Sequence, residues 1–130
     1  MSASLGYDNT GLGGIESNRA NVNGSVQYPK TAKHWFDGSV FSAPAPLAFG
    51  NSGRNLIYGP GLFNWNIALF KRFPLGREGT QFEFRGETFN TFNHTEFSGV
   101  NNNFSNGSQF GEVTSVNDPR TFQLGGSLTF

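Results

Sequence analysis

A run of polar residues at every second position forms the one charge constellation of this chain. It consists of Gln81, Glu83, Arg85 and Glu87. Two carboxylates on one strand suggest acid–base work on a glycosidic bond, but four residues of strand separate Glu83 and Glu87 by about 13 Å, beyond the roughly 5–10 Å that such enzymes need. The spacing therefore favours a solvated strand face on which Arg85, about 7 Å from each neighbouring carboxylate, neutralises the glutamates.

The remaining chemistry-bearing residues are few. His34 and His94 are the two imidazoles, and cysteine is absent. A metal site would require Asp37 or Glu96 to join them across different loops, and no ligand spacing matches a known pattern. No nucleophile–base pair is evident. We therefore predict no catalytic residues, no cofactor, no metal site and no enzymatic activity.

The elements that position the charged face are predicted to be strands. The alternation predicts strands at about 63–73, 80–92 and 121–130, with a further short strand possible at 110–116, and a tight turn at 74–79. Helix formers are sparse, and fifteen residues are phenylalanine. We predict an all-β fold of antiparallel amphipathic strands with long irregular loops.

The predicted strands have two unlike faces. Opposite the charged face of 80–92 lie Phe82 and Phe84. In the last strand an apolar set alternates with a polar set, namely Phe122, Leu124, Leu128 and Phe130 against Thr121, Gln123, Ser127 and Thr129. Ten residues of strand span about 33 Å, which a tilt of about 45° brings near the thickness of a hydrocarbon core. An apolar face against a polar one is typical of an outer-membrane β-barrel.

Composition limits the other classes of function. The 130 residues carry nine acidic and nine basic side chains, which does not favour a nucleic-acid partner. Residues 1–60 read as an irregular, loop-rich region and residues 61–130 as the strand region. No export signal and no run of roughly 20 apolar residues is visible, so we expect the chain to derive from a longer exported protein.

From about residue 27 onward, the chain resembles the C-terminal end of TonB-dependent outer-membrane transporters, most closely the Oar-like type of Acidobacteria. The resemblance is carried by a set of short motifs: Trp35-Phe36, Ala43-Pro44-Ala45-Pro46, Phe49-Gly50-Asn51, Gly53-Arg54-Asn55, Gly59-Pro60-Gly61, Phe63-Asn64-Trp65, Leu69-Phe70-Lys71, Phe82, Arg85 to Glu87, Phe89-Asn90, Phe92-Asn93-His94, Phe110-Gly111, Asp118-Pro119-Arg120 and Phe130.

The resemblance implies a 22-stranded barrel around a plug, of which this chain would supply about three strands. It implies lipid and the barrel-assembly machinery as partners, with TonB engaged only through upstream regions. Phe122, Leu124, Leu128 and Phe130 match the assembly signal, apart from Gly126, which offers no side chain to lipid. Gln81, Glu83, Arg85 and Glu87 would then face the lumen. The chain would be structural and would not transport by itself.

Three strands cannot close a barrel, so their edges need other strands, either from the remainder of a barrel or from copies of this chain. The second possibility defines an alternative function: a self-assembling extracellular β-rich subunit of a filament or oligomer. A small soluble β-sandwich with inward-facing phenylalanines is a weaker third possibility.

Overall fold

The computed structural model describes residues 1–15, 17–76 and 79–130. It contains seven strands: β1 (Asn21–Val22), β2 (Phe41–Ser42), β3 (Ile67–Pro74), β4 (Gln81–Phe89), β5 (Phe97–Val100), β6 (Val113–Val116) and β7 (Thr121–Thr129). Two short 3₁₀ segments, Gly38–Val40 and Phe104–Gln109, complete the regular structure. All strand pairs are antiparallel, so the predicted all-β class is confirmed. In the described part of the chain, no helix has the length and apolar character needed to cross a membrane.

The chain divides into two compact units. Unit 1 comprises residues 1–61 and 97–116, and unit 2 comprises residues 62–96 and 117–130. The segment 97–116, which the sequence division placed with the strands, thus packs in unit 1.

Unit 2 is an open three-stranded sheet in the order β3-β4-β7. β3 and β4 form a hairpin that pairs Ile67 with Thr88 and Pro74 with Gln81, and β7 lies on the other side of β4. The three main strands were therefore predicted correctly in order and direction. The predicted turn at 74–79 is only partly visible, because Arg77 and Glu78 lie outside the described residues.

The prediction was wrong at the ends of the first two strands away from their connecting turn, because it made both strands too long there. Phe63–Asn66 does not join the ladder; instead, the Trp65 carbonyl accepts a hydrogen bond from Thr91 (2.8 Å) and the Asn66 side chain accepts one from the Asn90 amide (3.1 Å). β4 ends at Phe89 because Asn90 adopts a left-handed backbone with φ of 50°. The residues beyond the sheet form a compact loop instead of extended strand.

Unit 1 has little regular structure but a definite core. The described part of residues 1–60 is mostly irregular, with the two-residue strands β1 and β2. Its buried apolar residues come from distant parts of the chain: Ala3, Leu5, Ala20, Phe36, Phe41, Ile57, Val100 and Phe110. The rings of Phe36, Phe41 and Phe110 meet edge to face with centroids 5.0–6.0 Å apart.

Unit 1 also contains a hairpin that the sequence prediction covered only in part. The predicted strand at 110–116 is shortened to β6, because Phe110 turns into the core. Its partner β5 was missed, since Gly99 and two register shifts interrupt any regular alternation there.

Candidate functional site

The polar face of the sheet in unit 2 is built mainly by β4 and β7. Gln81, Glu83, Arg85 and Glu87 lie on one face of β4, as predicted from their spacing, and their partners on β7 are Thr129, Ser127, Gly125 and Gln123. A groove of about 180 Å³ on this face is lined by Glu83, Arg85 and Ser127 together with the backbone of Gly125 and Gly126. This face can hydrogen-bond to water or to a polar solute.

The charges on this face are paired within the sheet. Arg85 forms an ion pair with Glu87 (2.5 Å), while Glu83 is paired with Arg72 of β3 (2.6 Å). The sequence analysis assigned both glutamates to Arg85 and did not include Arg72. The signal was available, because the turn register sets Arg72 directly opposite Glu83. Phe70 lies beneath Arg85, with the guanidinium carbon 5.1 Å from its ring centroid.

The opposite face of the same sheet is apolar and uncovered. Its members come from all three strands: Ile67, Leu69, Phe73, Phe82, Phe84, Phe122, Leu124 and Leu128. Leu69 is 66% exposed and Leu124 is 74% exposed. A contiguous apolar surface of this kind marks contact with a membrane or a protein partner.

Two details show how this apolar face is filled. A Cβ atom at Gly126 would lie 3.1 Å from the Phe82 ring, so that ring covers the position where β7 lacks a side chain. The gap expected at Gly126 is thus closed by the neighbouring strand. Lys71 is the one cation on this face of the strands, and its Nζ lies 6.0 Å from the Phe73 ring centroid, towards the 75–80 turn.

Three of the four residues of the predicted assembly signal lie on the apolar side. Phe122, Leu124 and Leu128 point to this face of β7, and Phe130 follows the strand with 96% of its surface exposed. Recognition of these residues by an assembly machinery stays a prediction.

Aromatic side chains gather at the end of the sheet where β3 begins. Trp65 and Phe92 meet edge to face with centroids 6.2 Å apart, and both are more than half exposed. Phe89 lies on the polar face opposite Thr121. Trp35 belongs instead to unit 1, where its Nε1 donates to the Tyr58 carbonyl (2.9 Å).

The histidines lie in separate units. His94 Nδ1 is 2.7 Å from Glu96 Oε1 in unit 2, and Glu96 is buried. In unit 1, the Ser39 hydroxyl and amide hold the pKa of Asp37 below its ordinary value, with a smaller contribution from the nearby charge of His34. Among the residues that the structure describes, no three His, Asp or Glu side chains converge to hold a metal ion.

A carboxylate organises the glycine-rich loop at the start of unit 1. Asp8 Oδ2 accepts a hydrogen bond from the Gly13 amide (2.9 Å), and Asp8 Oδ1 accepts from the amides of Thr10 (3.0 Å) and Gly11 (2.9 Å). These donors, the Gly13 amide foremost, lower the pKa of Asp8. The Asp8 side chain therefore stabilises the loop and leaves few lone pairs for a ligand.

Comparison with protein families bears on the origin of this two-faced sheet. A family model described as "Outer membrane beta barrel domain" matches residues 1–123. The chain belongs to this outer-membrane β-barrel domain family. Neither the curated proteins nor the solved structures gave a match.

Membership in the outer-membrane β-barrel domain family accounts for the alternation of apolar and polar side chains along the strands of the sheet. The chain is a barrel-type outer-membrane protein, and strands of such barrels alternate between an apolar outer face and a polar inner face. In the described residues, β3 and β7 each pair with one strand only, so both outer edges of the sheet carry unpaired backbone groups.

Proposed function

We propose that this chain supplies a section of barrel wall to a TonB-dependent outer-membrane receptor and transporter. In this proposal the apolar face of the sheet contacts lipid, and the ladder Gln81, Glu83, Arg85 and Glu87 faces the lumen. The observation that carries the proposal is the amphipathic sheet itself, whose outer face exposes Leu69, Leu124 and Phe122 while its inner face holds paired charges.

The dimensions of the sheet support a membrane-spanning role. Nine residues of β7 rise by about 30 Å, which becomes about 21 Å along the membrane normal at a tilt of 45°. This is close to the apolar band of about 25 Å that outer-membrane barrels present to lipid. Arg120, whose guanidinium carbon lies 5.1 Å from the Phe122 ring centroid, would mark one boundary, and Lys71 leans towards the other.

The lengths of the strand connections support an orientation of the sheet in the membrane. The β3–β4 turn is short, whereas β4 and β7 are joined by residues 90–120 at the opposite end of the sheet. Outer-membrane barrels have short periplasmic turns and long extracellular loops. The proposal therefore assigns the 75–80 turn to the periplasm and the 90–120 connection to the extracellular side.

The proposed role is structural and non-enzymatic. The ion pairs of the polar face are intramolecular, and the partners expected are the remainder of a barrel, lipid and the assembly machinery. TonB would be engaged only by regions upstream of this chain. The TonB-dependent assignment draws on the motif resemblance, including Trp65, Arg85 and Asp118-Pro119-Arg120.

The proposal is tested on the full-length product of the gene that encodes this chain. That product should sediment with outer membranes, resist extraction by high salt, and carry a plug domain that crosslinks to TonB. An inserted product without a plug would contradict the TonB-dependent assignment. A product that forms fibres without detergent would contradict the barrel role and favour the filament alternative.

A further inference from the structure

A cavity in unit 1 carries two arginines and is independent of the sheet described above. Its volume is about 410 Å³, and its lining consists of Ser2, Ser17, Arg19, Arg54 and Asn55. Among the described residues of this lining, both charges are positive and no carboxylate is present. The remaining side chains are hydroxyls and an amide, which are neutral hydrogen-bonding groups.

The backbone that carries the first arginine is held firmly. The residues on either side of Arg19 are buried: the Asn18 carbonyl accepts from the Leu5 amide (3.0 Å), and the Ala20 amide donates to the Ala3 carbonyl (3.0 Å). Arg19 itself forms an antiparallel bridge with Ser4. The side chain therefore extends from a fixed point in the core of unit 1.

The second arginine is tied to the same segment. Arg54 lies in a turn with Asn55, whose backbone φ is 55° and whose amide donates to the Ser2 hydroxyl (3.1 Å). The Ile57 amide then donates to the Met1 carbonyl (2.8 Å). The segments that carry both arginines are thus hydrogen-bonded to the first five residues of the chain.

One donor in this cluster has no partner among the residues that the structure describes. The Arg19 Nε atom is buried and makes no hydrogen bond to any described residue. A buried donor that is left unsatisfied costs the full desolvation of that group. The Nε–H and one Nη–H of a guanidinium form a planar fork that matches the two oxygens of a carboxylate or phosphate.

We propose that Arg19 and Arg54 form a binding site for a small oxyanion, a carboxylate or phosphate group, that accepts a hydrogen bond from Arg19 Nε. The hydroxyls of Ser2 and Ser17 and the side-chain amide of Asn55 supply further donors around it. The volume admits an anionic group of a larger molecule, either a free solute or a lipid headgroup. The site does not depend on the proposed transporter function.

The test follows the Arg19 Nε–H resonance by nitrogen-15 NMR in the full chain, held in uncharged dodecyl maltoside micelles. The resonance is assigned by its loss in Arg19→Lys. Sodium phosphate or sodium acetate should shift it saturably, whereas sodium chloride at equal ionic strength should not. A shift by one anion alone identifies its class and supports the site. Failure of both anions to shift it would overturn the proposal.

Matched variants separate a built site from general attraction of anions. Arg54→Gln should weaken binding of the effective anion roughly tenfold or more, because a charge-assisted hydrogen bond is lost. Lys33→Gln removes the same charge from an exposed position of unit 1 and should change affinity by less than twofold. Equal weakening by both variants would contradict the proposal.

Two further arms address a neighbouring acid and the source of the anion. Glu16 precedes Arg19 by three positions and lies outside the described residues. Glu16→Gln should leave the affinity for the anion unchanged or raise it, and a loss of affinity would contradict the site.

Competition between inorganic phosphate and short-chain phosphatidic acid distinguishes the two sources of the anion. Tighter binding of the lipid identifies a headgroup, and equal binding identifies a free anion.

Discussion

Introducing a charge on the outer face of β7 probes the assignment of that face to lipid. Leu124 is the fourth of nine strand residues and is 74% exposed in the protein alone. It lies about 10 Å along the strand from Thr121, which corresponds to about 7 Å of membrane depth at a tilt of 45°. The apolar set from Phe122 to Leu128 extends on both sides of it, so Leu124 lies close to the middle of the apolar band.

The expected cost of Leu124→Arg follows from this depth. An arginine on the lipid face costs about 2–4 kcal/mol at the bilayer midplane. This corresponds to a loss of about 30- to 700-fold in the equilibrium between inserted and unfolded chain. In water the same change at an exposed position would alter the free energy of unfolding by only about 0.5 kcal/mol.

The adjacent residue supplies the matched control. Gln123→Arg adds the same charge to the polar face of the same strand, opposite Glu87, and should cost less than about 1 kcal/mol. Both variants are measured by equilibrium unfolding in guanidinium with the full-length product of the gene that encodes this chain inserted in phosphatidylcholine vesicles. A cost for Gln123→Arg as large as that for Leu124→Arg, or no cost for Leu124→Arg, would refute the assignment of the faces.

Three further predictions concern particular contacts. Gly50→Ala should destabilise unit 1 by about 3 kcal/mol or more in thermal unfolding, because the added Cβ overlaps a backbone carbonyl oxygen. Gly53 has open space around its Cβ position, so Gly53→Ala should change stability by less than about 0.5 kcal/mol. Equal effects of the two substitutions would contradict the packing around Gly50. The pKa of Asp8 is lowered from 3.8, so the ionised carboxylate stabilises the folded loop above pH 3.8, and this stabilisation is lost as the pH falls through the folded pKa. Asp8→Asn should abolish this acid dependence in amide hydrogen exchange of the loop. An unchanged acid dependence in that variant would rule out Asp8 as its source. A double-mutant cycle on Arg72 and Glu83 should give a coupling of about 0.2–1 kcal/mol that falls with salt, since the Arg72 side chain is 71% exposed; a coupling that salt leaves unchanged would contradict an exposed pair.

The sheet could be predicted from sequence because its signals are local. Strict alternation from Gln81 to Thr88 and from Thr121 to Leu124 sets each face, and Pro74 with Gly76 and Gly79 sets the turn. The outer end of β3 could not be predicted this way. Phe63 and Trp65 continue the apolar period, but their backbone is drawn into the loop that Asn90 organises.

The fold of unit 1 could not be predicted from local sequence patterns. Its core joins Leu5, Phe36, Ile57 and Phe110, which are far apart in sequence and share no period. Long-range backbone hydrogen bonds between irregular segments hold these residues together. The Arg19 and Arg54 cavity was invisible for the same reason, since the two arginines meet only through the segment around Ser2.

The central claim, that one face of the sheet meets lipid and the other meets water, has a direct measurement. The chain contains no cysteine, so single cysteines introduced into β4 and β7 can carry nitroxide spin labels in the full-length gene product inserted in vesicles. We predict that accessibility to oxygen and to a water-soluble nickel chelate alternates with period two, with labels at Phe84 and Leu124 in lipid and labels at Glu83 and Gln123 in water. Equal chelate accessibility on both faces, or protection of Phe84 and Leu124 from both reagents, would contradict the claim.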